Sequence, residues 1–389
     1  MSAETLSLNL GPQHPSTHGV LRVVLELDGE TVVDARPDIG FLHRGIEKLA
    51  ENRTYHQIIV LTDRLDYLAA HSNNLAYVMA VEKLMAIDVP RRAQYVRAAL
   101  AELQRIASHL FWLGTHAHDL GAMTPLFYAL REREALMDIF ESLAGSRLTP
   151  SFLRIGGLAA DIDAGFVEAV RSFTDTFQAR VDEYETLLTE NPIWKCRTKG
   201  VGVLNAGDCI RLGISGPMLR GAGRALDLRK AQPYCCYDEF HFEIPAGTQG
   251  DVYDRYLVRI REMRESARIA RQAVEGLPEG AWTVPGSPAV FPAKGDLKRD
   301  ITAVIRHFGL VMEGFKPPVG EVYHAIESPR GELGFYIVSD GGSRPLRLKV
   351  RPPSFVNLQG LVKMVRGRLL ADVVAIIGAV DIVLAEVDR

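Results

Sequence analysis

Apolar and polar side chains alternate over the first 36 residues, and two such runs, 21–27 and 31–35, flank Asp28-Gly29, a dipeptide suited to a tight hairpin. Near Arg44 the spacing changes to the three-and-four repeat of helices and keeps it to about residue 145. Asp88 and Pro90 mark a break and a restart, after which one long amphipathic helix is predicted from 91 to about 120. Thr124-Pro125 opens another that reaches Ser142, with Gly145 placed to end it. Two more long helices are predicted over 163 to about 189 and 251 to about 275. Between them, 190–250 is rich in Gly and Pro and reads as structured loop with short helices. Strand patterning returns over 320–351, with turns at Ser328-Pro329-Arg330-Gly331 and Asp340-Gly341-Gly342, and from about Val356 the chain is helical again.

This order predicts an α+β protein, a helical-bundle core with antiparallel β-sheet regions toward its N-terminal and C-terminal ends. One domain is expected over 1–389. Its parts are a β region (1–36), the helical core (44–190), the loops (190–250), a long helix (251–275), a second β region (320–355) and a C-terminal helical segment (356–389). Nothing in 190–250 has the polar composition of a linker.

Composition narrows the function more than the fold. Hydrophobic residues make up 47% of the 389 and charged ones 24%, which excludes wholesale disorder. A formal net charge of -3, with no Lys/Arg run, argues against a nucleic-acid binder. A spanning helix needs roughly 20 uninterrupted apolar residues, and the longest candidate, 373–384, is broken by Gly378 and Asp381. No basic leader followed by an apolar stretch precedes the first motif. The four cysteines, Cys196, Cys209, Cys235 and Cys236, form no CxxC pair and read as reduced thiols rather than ligands, so no metal held by this chain is expected.

Candidate chemistry sits in three places. The stiff segment Gly11-Pro12-Gln13-His14-Pro15-Ser16-Thr17-His18-Gly19 places two histidines on a loop. On the long helix, His109, Trp112, His116 and Asp119 share one face, which would suit a metal, a proton relay or a hydrogen-bonded polar stripe within a bundle. Arg44, at a helix start, and the charged segment 62–67, which ends in Tyr67, would singly be ordinary caps or ion-pair partners. Neither GxxxxGK[ST], nor a strand-embedded GxGxxG, nor GxSxG occurs.

Nine segments in order change the picture: GPQHPSTHGVLR (11–22), GFLHRGIEKL (40–49), TDRLDY (62–67), AYVMAVEKL (76–84), GAMTPLFY (121–128), GPMLRG (216–221), DLRKAQPY (227–234), GEVYHAIESPRGELGFYIVSDGGSRPLRLKVRPPSF (320–355) and EVDR (386–389). Through them the chain resembles, over essentially its whole length, the D-subunit family of NADH:quinone oxidoreductases (respiratory complex I). That family is similar in turn to the large subunit of nickel–iron hydrogenases. The hydrogenase metal is held by two CxxC pairs; here those positions fall on Asp66 and Ala69, and on Val383 and Glu386, so the thiolates such a centre requires are missing.

The resemblance implies a quinone as substrate, bound where the hydrogenase metal would lie. It implies His18 and Tyr67 as hydrogen-bond donors to the quinone oxygens, with Asp119 paired to His18. Arg44 and Arg64 would lie near a tetranuclear iron–sulfur cluster carried by the neighbouring B subunit, NAD and FMN being bound elsewhere in the assembly. The implied partners are the B and C subunits and the membrane-embedded H subunit. The implied location is peripheral, on the cytoplasmic side of a bacterial inner membrane. Many relatives carry a histidine where this chain has Thr149, which predicts a weaker pH dependence of the cluster potential. An equivalent subunit fed by ferredoxin or another non-NADH donor is the alternative. A working hydrogenase is opposed by the missing thiolates, and a metal-dependent hydrolase would need the His109–His116–Asp119 face.

Overall fold

The computed structural model describes residues 5–15 and 19–389. The alternating N-terminal runs form a three-stranded antiparallel sheet, β1 (Leu6–Leu10), β2 (Arg22–Asp28) and β3 (Thr31–Asp38), with β2 in the middle. Val23, Leu25 and Leu27 of β2 are buried while their neighbours in the strand are not, as expected of a sheet with one face inward.

Two short helices, α1 (Ile46–Ala50) and α2 (Tyr55–Thr62), lead to three long ones, α3 (Ala70–Leu84), α4 (Arg91–Asp119) and α5 (Thr124–Ala144). Gly145 ends α5 in the left-handed conformation, φ 73°, donating its N–H to the Glu141 carbonyl. A minimal hairpin, β4 (Leu153–Arg154) and β5 (Gly157–Leu158), precedes α6 (Ala164–Leu188), whose first turn is capped by the Asp163 carboxylate. The Gly- and Pro-rich stretch folds into short helices α7 (Pro192–Thr198), α8 (Ala206–Arg211), α9 (Gly216–Gly221) and α10 (Leu228–Ala231). Next come α11 (Val252–Glu275), capped by Asp251, and α12 (Ile301–Met312). A second three-stranded antiparallel sheet follows, β6 (Gly320–Ser328), β7 (Gly331–Ser339) and β8 (Arg347–Arg351), with β7 central. The chain closes with α13 (Pro353–Leu358), α14 (Leu361–Val365), α15 (Leu370–Val380) and α16 (Leu384–Asp388).

The mixed helix-and-sheet class expected from the pattern is what the chain adopts. Two details differ. Helix α13 begins three residues before Val356, because Pro353 suits the first turn of a helix. The spacing assigned no element between 275 and 320, whereas α12 lies there with its apolar stripe turned outward.

Helix α11 packs against α4 and α6, α4 against α5, and α3 against β6 and β7, so one large core joins the bundle to the second sheet. Another core joins the first sheet to α9, α14 and α15. Leu120, directly after α4, packs against both. A small third cluster of Leu68, Val383 and Ala385 has Leu42 and Phe111 against it, at the corner where the candidate site lies. Among the described residues no helix is long and apolar enough to cross a membrane.

Candidate functional site

The turn between α2 and α3 carries Tyr67 at its tip, 39% exposed. Side chains from α3 and α4 fix that turn from beneath. Asn73 donates to the Asp66 carbonyl at 3.1 Å, and Gln104 to the Leu68 carbonyl at 2.7 Å. The Asp66 carboxylate accepts the Leu68 N–H at 3.0 Å. Upstream, Asn74 donates to Asp63 at 2.7 Å and accepts from Thr62 at 2.9 Å. Buried hydrogen bonds of this kind hold a loop in one geometry.

Tyr67 lines a cavity of about 290 Å³ together with Phe111, Trp112, Asp119, Arg330 and Asp381. Trp112 and Asp119 come from the end of α4, Arg330 from the β6–β7 turn, and Asp381 from the residue after α15. Pro15 and Gly19 line the same cavity; His18, expected beside them, lies outside the described residues. Burial raises the Tyr67 hydroxyl above its ordinary value and the Asp66 charge adds to that, while Arg330 and Arg44 act the other way. The hydroxyl is therefore a proton-bearing donor at neutral pH.

Arg44 and Arg64 stand together on the adjoining surface, both exposed. Arg44 donates to the Arg64 carbonyl at 2.9 Å and to the Ala385 carbonyl at 2.6 Å; Arg64 donates to the Val60 carbonyl at 2.8 Å. Thr149 belongs to the loop before β4, which reaches the same corner, since the Ser151 and Arg154 side chains both act on Asp63. The 40–46 segment is clamped to the last helix: the Gly40 and Leu42 N–H groups donate to Asp388 at 2.8 and 2.7 Å.

The His109–Trp112–His116–Asp119 face divides. His109 is fully buried against Glu262 at 2.9 Å, and His116 stacks on Trp112 and meets Trp194 edge-on. Only Trp112 and Asp119 reach the cavity.

Of the positions that the resemblance aligns with hydrogenase cysteines, Asp66 and Glu386 are close enough to act on one another, and the buried Arg330 acts on both. Arg330, fully buried, donates to the Asp66 carboxylate, to Ser108 Oγ at 3.1 Å, to the Asp381 carbonyl at 2.9 Å and to its carboxylate at 3.1 Å. Glu386 is buried nearby and accepts the Ser354 N–H at 3.0 Å. Arg259 sits 3.9 Å from Asp381 with its guanidinium over the Trp112 ring. A guanidinium amid carboxylates does not fit a nickel–iron centre, which wants thiolates and no competing cation.

Sequence spacing did not single out Arg330, Asp66, Asp381, Glu386 or Arg259 as a group. One signal was available: Asp381, Glu386 and Asp388 interrupt an otherwise apolar C-terminal stretch, and charges in such surroundings are buried only with partners.

A family model, the 49 Kd subunit of respiratory-chain NADH dehydrogenase, matches residues 119–389. The D subunit of the NADH-quinone oxidoreductase of Geotalea uraniireducens (strain Rf4) is 55% identical over 388 residues, 100% of both chains. The D 2 subunit of the same enzyme from Roseiflexus sp. (strain RS-1) is 56% identical over 389 residues, covering 99% of this chain and 93% of that one. The D subunit from Geobacter sulfurreducens is 53% identical over 388 residues, again 100% of both.

Proposed function

The chain belongs to the D (49 kDa) subunit family of NADH-quinone oxidoreductases, and from that premise we propose that the cavity beneath Tyr67 receives a quinone head group. The chain acts as one domain and works as part of the NADH:quinone oxidoreductase complex, not alone. What carries the reading is the convergence of a tyrosine hydroxyl, the Asp119 carboxylate and the frame of the His18 loop on one apolar-walled cavity.

Reduction of a quinone to a quinol takes two electrons and two protons. Tyr67 offers one hydrogen bond and one proton to a carbonyl oxygen at the cavity rim. His18, which the resemblance pairs with Asp119, is the second donor in this reading. Donors fixed where negative charge develops stabilise the reduced head group. Phe111, Trp112 and Val383 give the ring an apolar wall. The tetranuclear cluster of the B subunit supplies the electrons when the complex is assembled. Arg44 and Arg64 present positive charge toward that neighbour, which raises the potential of a cluster placed there. The C subunit and the membrane-embedded H subunit complete the surroundings and hold this chain peripherally at the cytoplasmic face of the membrane.

Tyr67→Phe removes the hydroxyl and leaves the ring. Membranes carrying it should lose quinone reduction by roughly a hundredfold, the low end for a positioned proton donor, while NADH oxidation with an artificial acceptor stays intact. Unchanged quinone kinetics would remove Tyr67 from the site. NADH oxidation by the same membranes also separates this enzyme from one fed by ferredoxin.

A further inference from the structure

Arg259, on α11, is 1% exposed, and its Nε and Nη1 groups have no hydrogen-bond partner among the described residues. A buried guanidinium left this way is costly, because nothing replaces the water it has lost. The carboxylates that act on it are committed elsewhere. Glu262 accepts from Arg220 at 2.8 Å and meets His109 at 2.9 Å. Asp381 accepts from Arg330 at 3.1 Å and stands 3.9 Å from Arg259, beyond hydrogen-bond reach. Burial brings the Arg259 guanidinium down to about 10, with Asp381 acting the other way, so it stays charged at neutral pH.

Two contacts fix this charge relative to the cavity. The guanidinium lies over the Trp112 ring, 4.3 Å from its centroid, and Trp112 and Asp381 both line the cavity. Trp112 is itself held, with Nε1 donating to the Gly378 carbonyl at 2.7 Å and the ring stacked on His116. The charge therefore stands one side chain behind the space assigned to the head group, in surroundings where water screens it poorly. Arg330 lines the same cavity, but its charge is answered by Asp66 and Asp381. Arg44 and Arg64 are exposed, where solvent screens them.

We propose that Arg259 is a positioning residue, a fixed cation that stabilises the negative charge a quinone head group carries between receiving electrons and receiving protons. The proposal rests on the quinone reading above. Neutral quinone and neutral quinol gain little from a cation at this place, so the interaction is made while charge develops. It speeds turnover and leaves quinone affinity alone. Arg259 gives up no proton and forms no bond to the substrate; it acts across the Trp112 ring.

The test uses membranes carrying the assembled complex, with NADH oxidation by an artificial acceptor as the check on assembly. Arg259→Met keeps the length and removes the charge, Arg259→Gln is a second uncharged variant, and Arg259→Lys restores the charge. In the uncharged variants kcat for quinone reduction should fall roughly tenfold, less than for loss of a direct donor. KM should stay within about twofold of wild type, and Arg259→Lys should recover most of kcat. The binding probe is an alkyl hydroxynaphthoquinone, an anion at neutral pH, set against its neutral methyl ether. The anion should inhibit the uncharged variants roughly tenfold more weakly than wild type, and the ether should inhibit all of them alike. Equal weakening by both probes, with KM raised as far as kcat falls, marks a merely structural arginine and overturns the proposal. Unchanged inhibition by the anion also overturns it. Where neither uncharged variant assembles, the wild type decides, since tighter binding of the ether than of the anion overturns the proposal by itself. Loss of activity in Tyr67→Phe together with wild-type kinetics in Arg259→Met overturns Arg259 alone. Unchanged kinetics in Tyr67→Phe overturns the quinone site instead.

Discussion

Single residues set the pH response of this protein through burial. His56 and His324 are each pushed down to about 4, and His71 to about 3; burial is the main cause in all three, with Arg154 acting on His56 and Lys83 on His324. Each is neutral in the folded chain but takes up a proton when unfolded near pH 6.5. Their contribution to stability is therefore complete above about pH 6.5 and is lost as pH falls toward 4. For His71, which packs edge-on to Phe140 at 5.0 Å, the loss at pH 5 is about 2 kcal/mol. Denaturant unfolding of His71→Phe should show a smaller drop in stability between pH 7 and 5 than wild type, and an unchanged drop would refute the assignment. Glu386 has the opposite sign: its folded value is raised, so its proton stabilises the fold less as pH rises from about 4.5 to about 7. At this scale the sequence was informative where the family motif spoke. Tyr67 and Asp119 were named by it and do meet at one cavity, and without the motif neither stood out from other polar helix residues. Arg330 and its carboxylates were invisible to spacing, because a bond such as Arg330–Asp66 spans 264 residues and leaves no local periodicity.

At the scale of elements, the contact between α4 and α15 governs the back wall of the cavity. Trp112 Nε1 donates to the Gly378 carbonyl at 2.7 Å, and a Cβ added at Gly378 would lie 2.2 Å from His116 Nδ1. His116 has little room to yield, with Trp112 stacked on one side and Trp194 edge-on to it. Gly378→Ala should therefore cost about 1–3 kcal/mol, seen as a lower melting temperature. It should also lower quinone reduction, since Asp381 and its hold on Arg330 lie one turn away. Elements whose apolar faces point inward were the ones read correctly from the chain: α4, α5, α6, α11 and the two hairpins have clean periods and capping residues such as Asp163 and Asp251. Helix α12 has a period just as regular, but it follows a Gly- and Pro-rich stretch and carries two glycines of its own region, Gly309 and Gly314, that break up the run.

At the scale of the whole molecule, α12 turns an apolar stripe outward. Ile301 is 70% exposed, Phe308 65%, and Ile305 and Met312 64% each. Contiguous apolar surface of this kind is rarely left in water. The chain purified alone should self-associate, and light scattering should show this reduced by replacing Ile305 and Phe308 with lysine; a monodisperse wild-type chain would count against it. The same molecule brings together, in one cavity wall, residues from near both ends of its sequence, and this has a consequence for how it is made. At about 5–20 residues per second, a ribosome releases Asp66 some 264 residues ahead of Arg330, a delay of roughly ten to fifty seconds. Throughout that interval the aspartate has no cation to be buried with, so the α2–α3 turn stays hydrated and the corner beneath it stays open. Closure of the cavity is thus a late event in biosynthesis, and a nascent chain stalled before the second sheet presents its partners with an unfinished surface that they have reason to refuse.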